Sequence, residues 1–245
     1  DYTAAMVQFD VMLRLSRPLH AALIPGLVQG AVVPKFRDAL AATLARNPTW
    51  RSTMLAEMAR NIDRPEVRGL YAALREQGGL DPKETTRWLD ALIAKGEWGA
   101  AYAHWASALE DTGEGLPAVH NGGFEQQLSD SGFGWRLRKV SGSSASRQPR
   151  RDDQGHAARI AFQGRKIARA GLEQPLLLAP GRHRVRMQVR ARNLRSEQGL
   201  EWVVQCADGR LADITAFVSA RRATHADAKF RKAFEAHKQE TEGQV

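Results

Sequence analysis

Residues Gly181–Arg192 read GRHRVRMQVRAR, and their side chains alternate between two kinds. From Val185 onward the odd positions are apolar, whereas the even positions of the stretch are mostly cationic: Arg182, Arg184, Arg186, Arg190 and Arg192. Alternation with a period of two predicts a β-strand that packs one face on a core and turns the other outward. The pair Pro180-Gly181 provides a turn directly before it. We therefore expect a central strand of a β-domain, with a strongly basic outer face.

The positive charge of the chain is concentrated in the half that contains this strand. The 245 residues carry 36 Lys and Arg against 27 Asp and Glu, a formal net charge of +9. Residues 1–118 contribute 13 cationic and 14 anionic side chains, and residues 119–245 contribute 23 and 13. Such an excess predicts an anionic partner: an acidic polysaccharide, a nucleic acid or a lipid surface. A solubilising surface without a ligand is the alternative interpretation.

The second half of the sequence has the pattern of a β-domain. Short apolar or alternating segments are separated by turn-forming residues, which predicts strands joined by turns. The expected strands are Val119–Gln126, Phe133–Val140, Ala157–Gln163, Gln174–Ala179, Gly181–Asn193, Leu200–Ala207 and Leu211–Val218. This series favours an antiparallel, jelly-roll-like β-sandwich. The polar stretch Ser141–His156 lacks apolar anchors and is predicted to be a long mobile loop.

Three segments of this half resemble the galactose-binding-like β-sandwich of carbohydrate-binding modules. Asn121-Gly122-Gly123-Phe124-Glu125 is similar to an "N-G-x-F-E" opening, and Phe133-Gly134-Trp135 is similar to the "x-G-W" element that follows it. Gln174–Gly181 is similar to the strand and turn that lead into the central strand. The resemblance covers about residues 118–210 and implies a glycan-binding fold.

The resemblance also implies candidate site residues. Families of this fold can hold a calcium ion near the first strand, so Glu125 becomes a candidate ligand, with Asp208 or Asp213 as partners. An ordinary surface position for Glu125 is the alternative. Sugar sites combine an aromatic platform with polar groups, and guanidinium groups bind carboxylates in a two-pronged manner. The candidate ligand-binding residues are Trp135, Trp202, Arg184, Arg186, Arg190 and Arg192, with core packing of each tryptophan and solvation of the arginines as alternatives.

The expected closing strands of such a sandwich are missing from the sequence. Ser219–Val245 instead places Ala226, Phe230, Ala233 and Phe234 on one helical stripe, which predicts an amphipathic helix. Either this helix packs against the sheet, or the sandwich is incomplete and exposes an edge to a partner strand.

The first half of the sequence has helical periodicity. We expect a helix over residues 4–20 that buries Met6, Val7, Met12, Leu13 and Leu15, and an apolar connector over residues 21–34. Further helices begin near Phe36, after a Thr49 cap, after capping boxes at Asp63–Glu66 and Asp81–Glu84, and at Glu97.

Residues 85–108 resemble one tetratricopeptide-type helical hairpin. Gly96 lies at the turn, and Trp98, Ala101, Trp105 and Ala108 match the aromatic and small positions of the second helix. The resemblance implies a small repeat-like scaffold that docks a protein, and an ordinary helical bundle is the alternative. The polar segment Asp111–Ala118 is a predicted linker. The expected architecture is therefore α+β, with a helical domain over 1–117, a β-sandwich over 118–220 and a helix or tail over 221–245.

The sequence contains no recognisable catalytic motif. Phosphate-binding, dinucleotide-binding and nucleophile-elbow patterns are missing, and the seven histidines lack metal-ligand spacing. The single cysteine, Cys206, excludes an intrachain disulfide and is predicted to be a buried thiol. No stretch has the length and hydrophobicity of a membrane span. Because the chain begins at Asp1, a signal or anchor could have been removed.

Three functions are compatible with these features. The first is a non-catalytic binding or scaffold protein of the cell envelope, periplasmic or extracellular, without a cofactor apart from a possible structural calcium. It would bind an acidic glycan through the β-half and a protein through the helices. The second is a protein–protein adaptor of an envelope assembly, without a glycan ligand. The third is a nucleic-acid-binding protein that uses the basic strand, which would make binding strongly salt-dependent.

Overall fold

A computed structural model describes residues 1–109, 116–150, 154–179, 183–192, 202–206 and 214–220, the last of these as backbone. The chain is α+β, with helices in its first part and short strands after them. Its contacts divide it into two compact units, Asp1–Leu178 and Ala179–Val245. No helix of the described ranges has the length and hydrophobicity needed to cross a membrane.

The helical part arranges its first six helices in two layers. Within the described residues the helices are α1 (Tyr2–Leu15), α2 (Leu19–Gly30), α3 (Pro34–Ala45), α4 (Arg51–Arg60), α5 (Pro65–Glu76), α6 (Pro82–Ala94) and α7 (Trp98–Ala106). Helix α3 packs between α1 and α5, and helix α4 packs between α2 and α6, whereas α7 packs on α6. Alternate helices therefore stack side by side, as they do in helical repeat arrays.

Local signals explain several helix ends. The predicted capping box of α6 is present, because the Asp81 carboxylate accepts a hydrogen bond from the Glu84 amide and the Glu84 carboxylate accepts one from the Asp81 amide. Gly96 has φ +81°, a left-handed conformation that suits glycine and separates α6 from α7.

Three expectations about the helices were wrong. The Asp63–Glu66 capping box does not form, because α5 begins at Pro65 with Arg64 at its cap position. Thr49 does not cap α4, whose cap residue is Trp50. The connector over 21–34 is largely helix α2, which contains Pro25. Burial of Ile24, Leu27 and Val28 compensates for the backbone hydrogen bond that is lost because the proline has no N–H.

The outer surface of α1 carries apolar side chains that the sequence predicted to be buried. Met6 and Leu13 lie in the core, but Val7 is 49%, Met12 38% and Leu15 82% exposed. Burial follows the side of the helix that faces α2 and α3, and only the stripe through Met6 and Leu13 lies on that side.

The segment after α7 packs against the helices. Phe133 is buried and contacts the rings of Trp98, Tyr102 and Trp105 with centroid separations of 6.2, 5.0 and 5.5 Å. The Arg136 guanidinium lies 2.6 Å from the Asp90 carboxylate of α6. Residues 116–178 therefore belong to the same compact unit as the helices, and this division does not coincide with the predicted boundary near residue 117.

The described strands form three separate two-stranded sheets. The strands are β1 (Arg136–Leu137), β2 (Ser143–Pro149), β3 (His156–Phe162), β4 (Leu172–Glu173), β5 (His183–Val189) and β6 (Ile214–Ala220). β1 pairs with β4 and β2 pairs with β3, both antiparallel, whereas β5 and β6 pair in parallel. The described part of the chain thus shows no galactose-binding sandwich.

The differences from the predicted strands have local causes. Val119–Gln126 forms turns because Asn121 and Phe124 adopt positive φ values of 50° and 60°, and the Asn121 side chain bonds the backbone N–H and C=O of Gln126. The predicted mobile loop Ser141–His156 instead contains β2, which pairs along its whole length with β3. Backbone hydrogen bonds hold this hairpin, so β2 does not need the apolar anchors on which the loop prediction depended. The C-terminal stretch 221–245, with its predicted helix, lies outside the described residues.

Candidate functional site

The basic face of β5 follows the predicted alternation. Arg184, Arg186, Arg190 and Arg192 are exposed, whereas the odd positions from 183 to 191 are half-buried. His183 begins the strand, and its Nε2 lies 2.7 Å from the carbonyl oxygen of Ala179. β5 ends at Val189, so Arg190 and Arg192 extend the same outward row just beyond the strand.

The spacing of this row determines what it can bind. Side chains two residues apart on a strand are separated by about 6.6 Å, which is shorter than the Debye length of about 8 Å at physiological ionic strength. The fields of Arg184 and Arg186 therefore add, whereas Gln188 separates this pair from Arg190 and Arg192. Within the ranges that the structure covers, Arg186 and Arg190 form no ion pair with a carboxylate. The face is suited to a ligand that presents several carboxylates or other anionic groups.

β6 lies next to this strand. The parallel register places Thr215 opposite Arg184, Phe217 opposite Arg186 and Ser219 opposite Gln188. The sequence predicted a strand over Leu211–Val218; β6 covers Ile214–Ala220, and residues 211–213 lie outside the described residues. The parallel pairing differs from the predicted antiparallel sheet.

Trp202 belongs to the same compact unit as the arginines and is 36% exposed. An indole is a type of side chain on which the C–H face of a sugar ring stacks, and the role of Trp202 as a platform stays a prediction. Cys206 is also exposed, so the prediction of a buried thiol was wrong. The predicted strand Leu200–Ala207 is described only over 202–206, where its residues are mostly exposed, and this exposure leaves the thiol outside a core.

Trp135, the second predicted platform, belongs to the other compact unit. Its Nε1–H donates a hydrogen bond to the carbonyl oxygen of Asn121 at 3.1 Å, and its ring lies 5.0 Å from the ring of Phe124. The half-buried indole thus packs on the turn formed by residues 121–124. Its role as a ligand platform stays a prediction.

Glu125, the predicted calcium ligand, is engaged by protein groups. Its carboxylate accepts a hydrogen bond from the His156 amide at 3.1 Å, and its other oxygen lies 3.1 Å from His156 Nδ1. The hydrogen bonds from His156 hold the pKa of Glu125 below its usual value. The nearby carbonyl oxygens of Phe124 and Glu125 accept hydrogen bonds from the Arg147 guanidinium.

A calcium ion at Glu125 would therefore have to displace His156 and compete with a guanidinium for the carbonyl oxygens. The proposed partners Asp208 and Asp213 lie outside the described residues. In the part of the chain that is described, no group of three or more His, Cys, Asp and Glu side chains could hold a metal.

One feature of functional interest was missed in the sequence. A groove between α1 and α3 exposes Val7 and Val11 beside Arg14 and Arg46. The available signal was a second apolar stripe on α1, formed by Val7, Val11 and Leu15 at intervals of four positions, separate from the stripe through Met6 and Leu13. The chain matches no known family model, and comparison with curated proteins and with solved structures also gives no match.

Proposed function

We propose that this protein is a non-catalytic scaffold that binds an acidic glycan through the basic face of β5 and a protein through its helices. The observation that carries the proposal is the exposed row Arg184, Arg186, Arg190 and Arg192, in one compact unit with the partly exposed Trp202. Guanidinium groups bind carboxylates, and an indole stacks on the C–H face of a sugar ring.

The helical part supports the scaffold role. Two layers of stacked helices form a surface that grows with the number of helices and is suited to docking extended partners. A tetratricopeptide-like hairpin at α6 and α7 agrees with Gly96 at the turn and with the buried Ala101 and Trp105. We place the protein in the cell envelope, because acidic polysaccharides are abundant ligands there.

A protein–protein adaptor without a glycan ligand is the second candidate. It is favoured by the exposed apolar side chains of α1, since contiguous apolar surface on a folded protein commonly marks an interaction site. Under this alternative the arginine row would contact acidic protein surface or solvent.

The test compares glycans with a simple polyanion. The full chain is applied to a glycan array that contains uronic-acid polysaccharides, and a DNA-binding titration is run beside it at increasing salt. The double variant Arg186→Gln/Arg190→Gln should weaken binding to acidic glycans about tenfold. The matched control Arg169→Gln changes an exposed arginine of the other unit and should leave the affinity unchanged.

The tryptophan variants identify the platform. Loss of glycan binding in Trp202→Ala, with binding retained in Trp135→Ala, would agree with stacking on Trp202. Equal binding to every polyanion, abolished by modest salt, would refute glycan recognition and leave a nonspecific charge effect such as that of nucleic-acid binding. Binding to neither glycan nor DNA would favour the adaptor.

A further inference from the structure

A groove of about 200 Å³ lies between α1 and α3 on the surface of the helical layer. Met6 of α1 and Thr43 of α3 form its buried part, and Val7 and Val11 form an exposed apolar wall. Val7 and Val11 are 49% and 46% exposed, and Leu15 extends their row by one further turn.

The row runs along α1 with the spacing of helix packing. Residues 7, 11 and 15 are four positions apart, so their side chains form a continuous ridge about 12 Å long. Such a ridge is the surface that a second helix packs against when the ridges of one helix enter the grooves of the other. Helix α3 already packs on α1 in this side-by-side manner.

The charges beside the ridge are not balanced. The Asp10 carboxylate lies 2.8 Å from the Arg14 Nε and accepts a hydrogen bond from the Trp50 indole at 2.9 Å. Burial raises the pKa of Asp10, but the hydrogen bonds from Arg14 and Trp50 outweigh it and leave the pKa lowered, so the carboxylate is ionised at neutral pH. Arg46 donates a hydrogen bond to the Thr43 hydroxyl and has no carboxylate partner among the described residues. The groove thus carries two guanidinium groups but a single carboxylate, which is ion-paired with Arg14.

We propose that the α1–α3 groove docks an acidic amphipathic helix of a partner protein. Its apolar side chains would cover Val7, Val11 and Leu15, and a carboxylate on its flank would pair with Arg46. This inference rests on the protein-docking half of the proposed function and is independent of the glycan-binding half.

Charge and shape select this occupant over two others. A second copy of the chain would bring Arg14 and Arg46 to both sides of the contact, so it would add repulsion where an acidic helix adds attraction. An extended peptide would not match a ridge whose side chains recur at one-turn intervals, whereas an amphipathic helix presents its own apolar side chains with the same spacing.

The test uses the full chain and synthetic helical probes. The acidic probe is a fluorescein-labelled amphipathic peptide of about 16 residues, with Leu on one face and Glu on both flanks. The basic probe replaces each Glu with Lys, and a scrambled probe keeps the composition of the acidic one. Fluorescence anisotropy should give a dissociation constant for the acidic probe at least about tenfold lower than for the other two.

Variants of the groove locate the binding. Arg46→Glu should weaken binding of the acidic probe about tenfold and strengthen binding of the basic probe. Arg87→Glu, which changes an exposed arginine of α6, should leave the affinity for both probes unchanged. The double variant Val7→Ser/Val11→Ser should weaken binding of the acidic probe, and Val32→Ser, at an exposed position just after α2, should not. Circular dichroism verifies that every variant is folded.

Two results would overturn the proposal. The first is equal affinity for the acidic, basic and scrambled probes, or equal effects of Arg46→Glu and Arg87→Glu. The second is a dimer, seen by sedimentation velocity, that Val7→Ser/Val11→Ser dissociates, because a second copy would then occupy the groove. Neither result depends on Arg186 or Arg190, so failure here is distinguishable from failure of glycan binding.

Discussion

Arg51 is a buried charge on which three parts of the helical array depend. Its guanidinium contacts both oxygens of Glu84 on α6, with Nε–Oε1 and Nη2–Oε2 distances of 2.8 and 2.6 Å. It also donates hydrogen bonds to the carbonyl oxygens of Leu44 and Gly79. The side chain thereby connects the start of α4 with the end of α3 and the N-terminus of α6.

We expect Arg51→Met to destabilise the protein by about 3–5 kcal/mol, because it leaves the Glu84 carboxylate unpaired in a largely buried position. Urea denaturation followed by circular dichroism measures the free energy of unfolding. The control is Arg138→Met, which breaks an exposed pair with Glu173 and should cost less than about 1 kcal/mol. Equal losses in the two variants would show that the buried pair has no special role.

The same pair predicts a pH dependence of stability. The hydrogen bond from Arg51 lowers the pKa of Glu84 below its usual value of 4.5, against the opposing effect of burial. A carboxyl group whose pKa is lowered in the folded state stabilises the fold above its unfolded pKa, and this contribution disappears as the pH falls through the folded pKa.

Stability should therefore decline below about pH 4.5 as Glu84 becomes protonated. In Glu84→Gln, which does not titrate, the decline over the same range should be shallower. Urea midpoints at a series of pH values give both curves. Parallel curves would mean that other carboxylates account for the acid sensitivity.

Gly132 is a second residue with a specific structural requirement. Its φ of +53° is unfavourable for other residues, and a Cβ atom at this position would lie 2.2 Å from the ring of Trp105. Gly132→Ala should lower the free energy of unfolding by at least about 2 kcal/mol more than Gly164→Ala does. Gly164 has a similar φ of +73°, but a Cβ added there meets open space. Thermal melts of the two variants measure the difference, and similar melting temperatures would contradict a tight contact with Trp105.

At the level of elements, the last helical hairpin is completed by a segment that follows it. The Phe133 ring fills a site among three aromatic side chains of α7. Thr86 and Ser131 share a hydrogen bond of 2.8 Å next to this contact. The aromatic side chains that resemble the second helix of a tetratricopeptide hairpin therefore pack against their own chain.

Phe133→Ala should destabilise the first compact unit by about 3–5 kcal/mol, since it removes a fully buried ring and leaves a cavity. Hydrogen exchange should show faster amide exchange in both α7 and the segment around β1. Phe162→Ala, which truncates a half-buried ring at the end of β3, is the matched control and should affect the β2–β3 hairpin more than α7. Unchanged protection of α7 in Phe133→Ala would refute the coupling.

The elements differed in how well the sequence predicted them. The capping box of α6 and the turn at Gly96 depend on neighbouring residues, and both predictions were confirmed. The alternation of β5 was likewise predicted, since side-chain direction in a strand follows from backbone geometry. Helix α2 was missed because burial of its apolar side chains among other helices outweighs its internal proline. Strand β2 was missed because backbone hydrogen bonds to β3 hold the hairpin and leave no apolar pattern in the sequence.

At the scale of the whole molecule, the two compact units suggest independent folding. The first unit, Asp1–Leu178, includes both the helices and β1–β4. A fragment of residues 1–178 should therefore melt close to one transition of the full chain, whereas residues 1–117 alone should melt at a lower temperature because Trp105 and its neighbours lose Phe133. Differential scanning calorimetry of both fragments measures this. A 1–117 fragment as stable as 1–178 would instead support the predicted domain boundary near residue 117.

The sequence by itself determined the features that short-range geometry controls. The α+β class, most helix positions and the exposed arginine row of β5 follow from periodicity, capping residues and alternation. Because successive side chains of a strand point to opposite sides, the alternation places Arg184 and Arg186 on one face of β5, and Arg190 and Arg192 are exposed just beyond its end.

Only the tertiary structure decided which surfaces are covered. It placed Phe133 against α7, engaged Glu125 with His156 and left Val7 and Val11 uncovered beside Arg46. The physical reason is that burial depends on which partner reaches an apolar or charged face, and that choice is made by contacts far apart in the sequence. The local sequence was thus enough to predict the basic strand, whereas the α1–α3 groove exists only because two helices lie side by side.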